Sequence, residues 1–168
     1  MKNLEIIKNK IFNSVSEFEK TLNAYRLKGN QLVFTNGCFD IMHMGHIDYL
    51  SKAADLGDIL IVGLNSDTSI RRIKGEERPI IDIKSRSLVL ASLLFVDAVI
   101  IFDEETPESL IQSITPDILV KGNDYQVNQI AGAEYVLSKG GKVLTLELVK
   151  GYSTSGILEK IKKDCFRE

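Results

Sequence analysis

Both histidines of the chain lie in one short segment, His43-Met44-Gly45-His46. At this spacing the two imidazoles lie on one side of the chain if a helix has begun there. Imidazole nitrogens can donate hydrogen bonds to phosphoryl oxygens. A helix N-terminus adds free N–H groups and roughly half a positive charge, and a glycine leaves room for a phosphate beside the backbone. The segment predicts a phosphate-binding site. The structural alternative is that His43 caps the helix and His46 packs at its start.

Short apolar runs alternate with helical patterns from residue 32 onward. Strands without polar alternation, separated by helices, predict a parallel sheet with helices on both faces. The fold class is therefore α/β, a Rossmann-like doubly wound sheet of about five parallel strands whose carboxyl ends share one edge, where ligands bind. The predicted strands are 32–35, 59–64, 98–102, 118–120 and 143–148, and the predicted helices are 46–56, 82–95, one opening at Thr106-Pro107, 131–138 and 155–163.

The first thirty residues have a different pattern. Apolar side chains recur at helical spacing over residues 4–27, and Gly29 and Asn30 end the pattern. This periodicity predicts one long helix. We therefore expect an N-terminal helical extension, residues 1–30, followed by the main domain, residues 31–168.

Charge and composition limit the partners. Among 168 residues, 21 Lys and Arg face 23 Asp and Glu, a net charge of −2, and 44% of residues are apolar. Such a chain has no global field for DNA, RNA or an anionic membrane, so we expect neither nucleic acid nor membrane as a partner. No apolar run reaches the roughly 18 residues of a membrane span. Cys38 and Cys165 form no metal-type pair, which favours reduced thiols in a cytoplasmic protein.

A second polar segment precedes the last predicted helix. Gly151-Tyr152-Ser153-Thr154-Ser155 offers serine and threonine as helix N-caps and as hydrogen-bond donors to phosphate. Taken alone, the segment predicts only a capped helix start. It becomes informative beside the histidine segment, because both would then serve one anionic ligand.

These two segments carry a family resemblance. Residues 37–46, G-C-F-D-I-M-H-M-G-H, resemble the H-x-G-H signature of the cytidylyltransferase-like nucleotidyltransferases, and residues 151–155 with Ile157 resemble the family's I-S-[ST]-T-x-I motif. The resemblance extends from Gln31 to about Lys162. It implies that residues 31–168 are a nucleotidyltransferase domain, which joins a nucleoside triphosphate to a phosphorylated or acidic small molecule and releases pyrophosphate.

Four further segments are similar to the adenylyltransferase half of the bifunctional ADP-heptose synthesis enzymes. That resemblance implies transfer of AMP from ATP to D-glycero-β-D-manno-heptose 1-phosphate, giving ADP-heptose for the lipopolysaccharide core. It also implies a stand-alone form with a separate heptose kinase, and a homo-oligomer (dimer or larger). The segments are Gly63-Leu64-Asn65-Ser66-Asp67, Lys74-Gly75 with Arg78-Pro79, Arg86 with Leu90-Ala91 and Val96-Asp97, and Val120-Lys121-Gly122-Asn123-Asp124-Tyr125.

The chain departs from the related families at three positions. Asn123 stands where the heptose family commonly has the second glycine of K-G-G-D-Y. Leu94 and Leu148 occupy places where the glycerol-3-phosphate cytidylyltransferase branch carries arginines, which weakens the cytidylyltransferase interpretation. The open alternatives are that enzyme, an FAD-synthase-like H-x-G-H transferase, and a non-catalytic nucleotide-binding module.

The resemblance also implies the site. Magnesium would accompany ATP through phosphate oxygens and water, because no carboxylate cluster looks like a metal cage. Lys74 would reach the phosphates from a lid-like loop, although it could be merely solvated. Arg86 could instead be a surface residue, and Asp67 could be a helix cap. Asp40 could serve only to brace the loop. The implied catalytic residues are His43, His46, Lys74 and Arg86, and the implied substrate-binding residues are Asn36, Gly37, Cys38, Phe39, Gly45, Asn65, Asp67, Lys121, Gly122, Asp124, Tyr152, Ser153 and Thr154.

Overall fold

A computed structural model describes residues 2–123, 126 and 129–165, and every structural statement below concerns those residues. Strands and helices alternate along most of the chain. The helices are α1 (Asn3–Lys8), α2 (Val15–Leu27), α3 (Met44–Ala54), α4 (Asp67–Lys74), α5 (Ile83–Ser92), α6 (Glu108–Ile114), α7 (Ala133–Ser138) and α8 (Thr154–Cys165). The strands are β1 (Ile11–Phe12), β2 (Leu32–Gly37), β3 (Ile59–Asn65), β4 (Ala98–Phe102), β5 (Ile118–Gly122) and β6 (Lys142–Leu146).

The strands form one parallel sheet in the order β1-β4-β3-β2-β5-β6. The chain proceeds from β2 outward to β3 and β4, then returns to place β5 against the other side of β2. The strand order therefore reverses between β2 and β5, which is where ligands bind in open α/β sheets. The predicted fold class is confirmed, with six strands in place of about five.

Apolar side chains cover both faces of the sheet. On one face, α2, α6 and α7 pack their buried residues, with Phe18 fully buried between helix and sheet. On the other face, α3 and α5 pack against β2, β3 and β4 through residues such as Leu50 and Leu90. These two layers hold the carboxyl ends of the strands in fixed positions.

The N-terminal region differs from the single helix predicted for residues 4–27. It contains α1, the short strand β1 and α2. Ile11 and Phe12 pair with Val99 and Ile100 of β4 and so form the sixth strand. Ser14 then begins α2, its Oγ accepting a hydrogen bond from the backbone N–H of Glu17. Helical spacing could not reveal this break, because edge pairing with β4 is a tertiary interaction.

Two other boundaries that bear on the site also differ from the sequence prediction. Lys74 is the last residue of α4 and not part of a loop, and Gly75, with a φ of 96°, ends that helix. The helix expected to open at Thr106-Pro107 begins at Glu108, with Pro107 at its N-cap. No described helix is long and apolar enough to cross a membrane.

Candidate active site

The histidine segment lies where β2 passes into α3. His43 is the residue before α3, with an extended backbone (φ −144°, ψ 173°) and no capping hydrogen bond from its side chain. Its ring stacks on that of His46, with the centroids 3.9 Å apart and the planes 25° apart. The two imidazoles thus lie together at the positive end of α3. Among the described residues the His43 side chain makes no capping hydrogen bond, so the alternative interpretation that it caps the helix is wrong.

A cavity of about 770 Å³ opens at this point of the sheet edge. Its walls come from the carboxyl ends of the central strands: Asn36 and Gly37 from β2, Asn65 from β3, and Lys121 and Gly122 from β5. The residues that follow β6 complete it. The cavity therefore occupies the carboxyl edge at the reversal of strand order, as the sequence predicts.

The start of α8 closes the cavity beside the histidines. A Cβ placed on Gly45 would lie 3.2 Å from Cβ of Tyr152, so glycine at residue 45 favours the close approach of the two segments. The rings of His43 and Tyr152 are 6.4 Å apart. Ser153 Oγ accepts a hydrogen bond from the Gly156 N–H at 3.1 Å and so caps α8. Two helix N-termini thus meet at one cavity, which is an arrangement suited to a polyanion.

Three buried polar atoms beside the cavity have no hydrogen-bond partner among the described residues. They are Nδ1 of His43, Nδ1 of His46 and Oδ1 of Asn36. Buried polar atoms in folded proteins are nearly always hydrogen-bonded. A ligand with its own donors and acceptors would satisfy them.

Burial lowers the pKa of both histidines and so favours their neutral forms. Burial, followed by the nearby charges of His43 and Lys74, lowers the pKa of His46 from 6.5 to about 4. Burial also lowers the pKa of His43. A polyanion bound against the rings would favour their protonated forms and raise both pKa values.

Three positive side chains lie in the wall of the same cavity. Lys74, Arg78 and Lys121 all line the cavity, and Lys121 Nζ donates to the Asn36 carbonyl at 3.1 Å. Together with the helix termini they give the cavity a positive character, although the whole chain carries a net charge of −2. Lys74 thus reaches the cavity as expected, but from the end of a helix.

Asp40 braces the loop after β2, as the sequence suggests. Its side chain is almost fully buried, and its carboxylate accepts the backbone N–H groups of Ile80 and Ile81. Arg78 Nε completes the set at 2.8 Å. The histidine loop is thereby tied to the segment between α4 and α5.

Arg86 and Asp67 lie outside the cavity wall. Arg86 is 1% exposed and donates to the carbonyls of Ile81 and Cys38, at 3.0 and 2.6 Å, and to Oδ1 of Asp67 at 2.7 Å. Ser66, and not Asp67, caps α4. These bonds join the loop at Cys38 to α4 and α5, so the described contacts of Arg86 are all with protein.

The structure brings most of the predicted site residues to one place. Asp124 lies outside the described residues. Arg78, Glu105, Thr106 and Gln129 also line the cavity but escaped the sequence prediction of site residues, although Arg78 belongs to a resembling segment. The predicted residues that line the cavity are Asn36, Gly37, Cys38, Phe39, His43, Gly45, His46, Asn65, Lys74, Lys121, Gly122, Tyr152, Ser153 and Thr154.

The cavity has few acidic groups that could hold a metal ion. Across the described part of the chain, no group of three or more His, Cys, Asp or Glu side chains could do so. The residues present therefore fit a metal that enters with a phosphate ligand better than one held in a protein cage.

The geometry defines a class of protein. A parallel sheet whose reversal point carries stacked histidines opposite a Ser-Thr helix start has a site suited to a phosphorylated ligand. The cytidylyltransferase-like family model matches residues 34–160, and the chain belongs to this family of nucleotidyltransferases.

Two curated relatives show which members of this family the chain is similar to. The chain is 48% identical over 165 residues to the bifunctional protein HldE of Helicobacter pylori strain Shi470, a match that covers 98% of this chain and 35% of HldE. It is 53% identical over 134 residues to HldE of Citrifermentans bemidjiense, covering 80% of this chain and 28% of that protein. The chain therefore spans about a third of the length of these curated relatives.

Solved structures give the same fold. The lipopolysaccharide core biosynthesis protein of Thermoplasma volcanium GSS1 superimposes with a TM-score of 0.58 and 33% identity, covering 74% of this chain and 100% of that one. Pantoate-beta-alanine ligase of Francisella tularensis, complexed with beta-gamma ATP and beta-alanine, has a TM-score of 0.59 at 16% identity, covering 94% of this chain and 79% of that one. This second likeness concerns the fold alone.

Proposed function

We propose that the protein transfers AMP from ATP to D-glycero-β-D-manno-heptose 1-phosphate, giving ADP-heptose and pyrophosphate. The observation that carries the proposal is the stacked pair of His43 and His46, whose unpartnered nitrogens adjoin a cavity with the Ser153-Thr154 helix start. The choice of a heptose acceptor is supported by the similarity to HldE over nearly the whole chain. A relative described as a lipopolysaccharide core biosynthesis protein supports it further.

The reaction is a single in-line displacement. An oxygen of the sugar 1-phosphate attacks the α-phosphorus of ATP and forms the new P–O bond. The bond between the α-phosphorus and the oxygen bridging to the β-phosphorus breaks, and pyrophosphate leaves with that electron pair. Because the nucleophile is already an anion, the enzyme needs positioning and charge stabilisation more than a strong base.

The chain's own groups supply that stabilisation. His43 and His46 hydrogen-bond the phosphates around the α-phosphorus, and the N-terminus of α3 adds its dipole. Ser153 and Thr154 hold the β- and γ-phosphates from the start of α8. Lys74 and Lys121 balance charge from the other walls, and the backbone of β2 and β5 accommodates the nucleoside. Magnesium enters as part of the MgATP substrate.

The cellular setting follows from the same proposal. We infer a cytoplasmic enzyme that works as a homo-oligomer and receives its sugar phosphate from a heptose kinase. These points rest on the family resemblance. Size-exclusion chromatography with light scattering tests the oligomeric state directly.

A substrate panel tests the function. Pyrophosphate release is measured with ATP or CTP against heptose 1-phosphate, glycerol 3-phosphate and FMN, with His46→Ala as the inactive control. Turnover is expected with ATP and heptose 1-phosphate. Turnover confined to CTP with glycerol 3-phosphate, or to ATP with FMN, would instead assign one of the other H-x-G-H activities. No turnover with any pair, together with tight nucleotide binding, would assign a binding module.

A further inference from the structure

Arg78 reaches the cavity from a segment that the proposed chemistry leaves without a role. It follows α4 and lines the cavity wall. Its side chain is 16% exposed, and Nε donates to Oδ2 of Asp40 at 2.8 Å. The guanidinium is therefore partly withdrawn from bulk water yet still adjoins the space where substrates would bind.

Asp40 holds this guanidinium in one orientation. The Asp40 side chain is 1% exposed, and its two oxygens accept the N–H of Ile80 at 2.9 and 3.0 Å, and that of Ile81 at 2.9 Å. Because these backbone amides fix the Asp40 carboxylate, it does not move with the Arg78 side chain. It instead sets the direction of the arginine that pairs with it.

One edge of the Arg78 guanidinium is left for a ligand. Among the described residues, the Nε of Arg78 forms a hydrogen bond, whereas its Nη1 and Nη2 form none. By contrast, Arg86 donates from Nε, Nη1 and Nη2 to protein acceptors. The Nη1–Nη2 edge presents parallel N–H groups, which match two oxygens of a phosphate in a bidentate pair. Lysine offers no such fork.

The order of the strands indicates whether the Nη1–Nη2 edge of Arg78 would contact the attacking phosphate or the leaving pyrophosphate. Arg78 belongs to the connection that follows β3, whereas Ser153 and Thr154 follow β6, on the opposite side of β2. In the proposed reaction the hydroxyls of α8 hold the leaving pyrophosphate. An in-line displacement requires the attacking oxygen to enter opposite the leaving group. The attacking phosphate therefore enters from the side of Arg78.

We propose that Arg78 binds the phosphomonoester of the acceptor through its Nη1–Nη2 edge, and that Asp40 is the positioning residue that orients it. This inference rests on the proposed function and adds to it the group that recognises the acceptor's phosphate. The recognised chemistry is a monosubstituted phosphate on a small polyol or sugar.

Equilibrium binding tests the assignment apart from turnover. The protein is saturated with α,β-methylene ATP and titrated calorimetrically with heptose 1-phosphate and with inorganic phosphate. Arg78→Gln is expected to raise both Kd values about 10- to 100-fold, as loss of a charge-assisted bidentate contact does. The Kd values of Arg78→Lys should lie between those of the wild type and Arg78→Gln. Asp40→Asn should weaken phosphate binding more than it weakens binding of the ATP analogue.

A matched arginine provides the control. Arg72 lies on α4, outside the cavity wall, with its Nη2 2.7 Å from an Asp103 carboxylate oxygen in an exposed pair. Arg72→Gln is expected to leave every Kd unchanged. The assignment is overturned if Arg78→Gln binds phosphate like the wild type, if it weakens the ATP analogue equally, if its Tm falls in parallel with its binding, or if the wild type binds neither phosphate.

The two proposals fail in different ways. Absence of wild-type turnover with ATP and heptose 1-phosphate overturns the proposed function, whatever the Arg78 variants do. Normal turnover with unaltered phosphate binding by Arg78→Gln overturns the role of Arg78 and leaves the proposed function standing.

Discussion

The imidazoles of His43 and His46 are stacked and half-buried, and their Nδ1 atoms have no hydrogen-bond partner among the residues that the structure describes. Such an arrangement weakens the free protein, because each buried nitrogen forfeits the hydrogen bond that water would give it. A bound phosphate would supply the hydrogen bonds that these nitrogens lack. The same atoms that cost stability in the free protein thus become binding groups, as is common in functional sites.

Removal of either imidazole tests their role in the reaction. His43→Ala and His46→Ala are expected to lower kcat by about 10²- to 10³-fold each, since each removes a donor to the phosphates in the transition state. Met44→Ala is the matched control, because Met44 is exposed and lies on α3 between them but outside the cavity wall. Pyrophosphate release measures the rates. Full turnover by both histidine variants would contradict the assignment.

The depressed pKa of His46 predicts a pH dependence of nucleotide binding. The pKa is about 4 in the free protein, and a bound polyanion raises it, so between the two values the complex holds more protons than the free protein. Affinity for an ATP analogue should therefore increase as the pH falls through the pKa of the complex. Calorimetry in buffers of different ionisation heat should show proton uptake, reduced in His46→Asn. Equal uptake by variant and wild type would assign the proton to another group.

At the scale of elements, the site depends on how a loop, two helix starts and three strand ends are joined. Arg86 links the Cys38 carbonyl after β2 to α4 and α5, and Asp40 links the same loop to residues 78–81. These buried polar contacts hold the histidine segment against the sheet edge. Arg86 and Asp67 lie outside the cavity wall, so their contacts affect substrate through the position of other groups.

Arg86→Gln tests this structural role. Removing one partner of a buried ion pair leaves uncompensated polar groups, so the free energy of unfolding should fall by about 3 kcal/mol. Urea denaturation measures it. Arg72→Gln, which breaks an exposed pair, should cost less than about 1 kcal/mol. If Arg86→Gln kept its stability and lost only turnover, Arg86 would act on the substrates directly, as the family resemblance implies.

For the whole molecule, the N-terminal thirty residues contribute to the common core. Phe18 and Leu22 of α2 are buried in the layer with α6 and α7, and β1 lengthens the sheet beyond β4. Lys10 Nζ also donates to the carbonyls of Leu93 and Val96 at the end of α5. The region therefore stabilises both faces of the sheet. The division into an extension of residues 1–30 and a domain of residues 31–168 stays a prediction.

The core position of Phe18 gives a test at this scale. Phe18→Ala removes a fully buried ring that stacks edge-to-face with Phe12 at 4.9 Å. It should lower the free energy of unfolding by about 3 to 5 kcal/mol. Leu4→Ala on α1, where the side chain is 52% exposed, should change it by less than about 1 kcal/mol. Equal losses in the two variants would mean that α2 is not part of the core.

The sequence by itself determined the fold class, five of the six strands and the two segments that meet at the cavity. Apolar runs and helix stops are local signals, and the histidine and Ser-Thr segments are informative because they occur together. Tertiary structure alone decided the rest: the strand at Ile11–Phe12, the burial of Arg86 and the arrival of Arg78. Whether an arginine meets solvent, a carboxylate or a ligand depends on elements distant in sequence, and no local pattern contains that information.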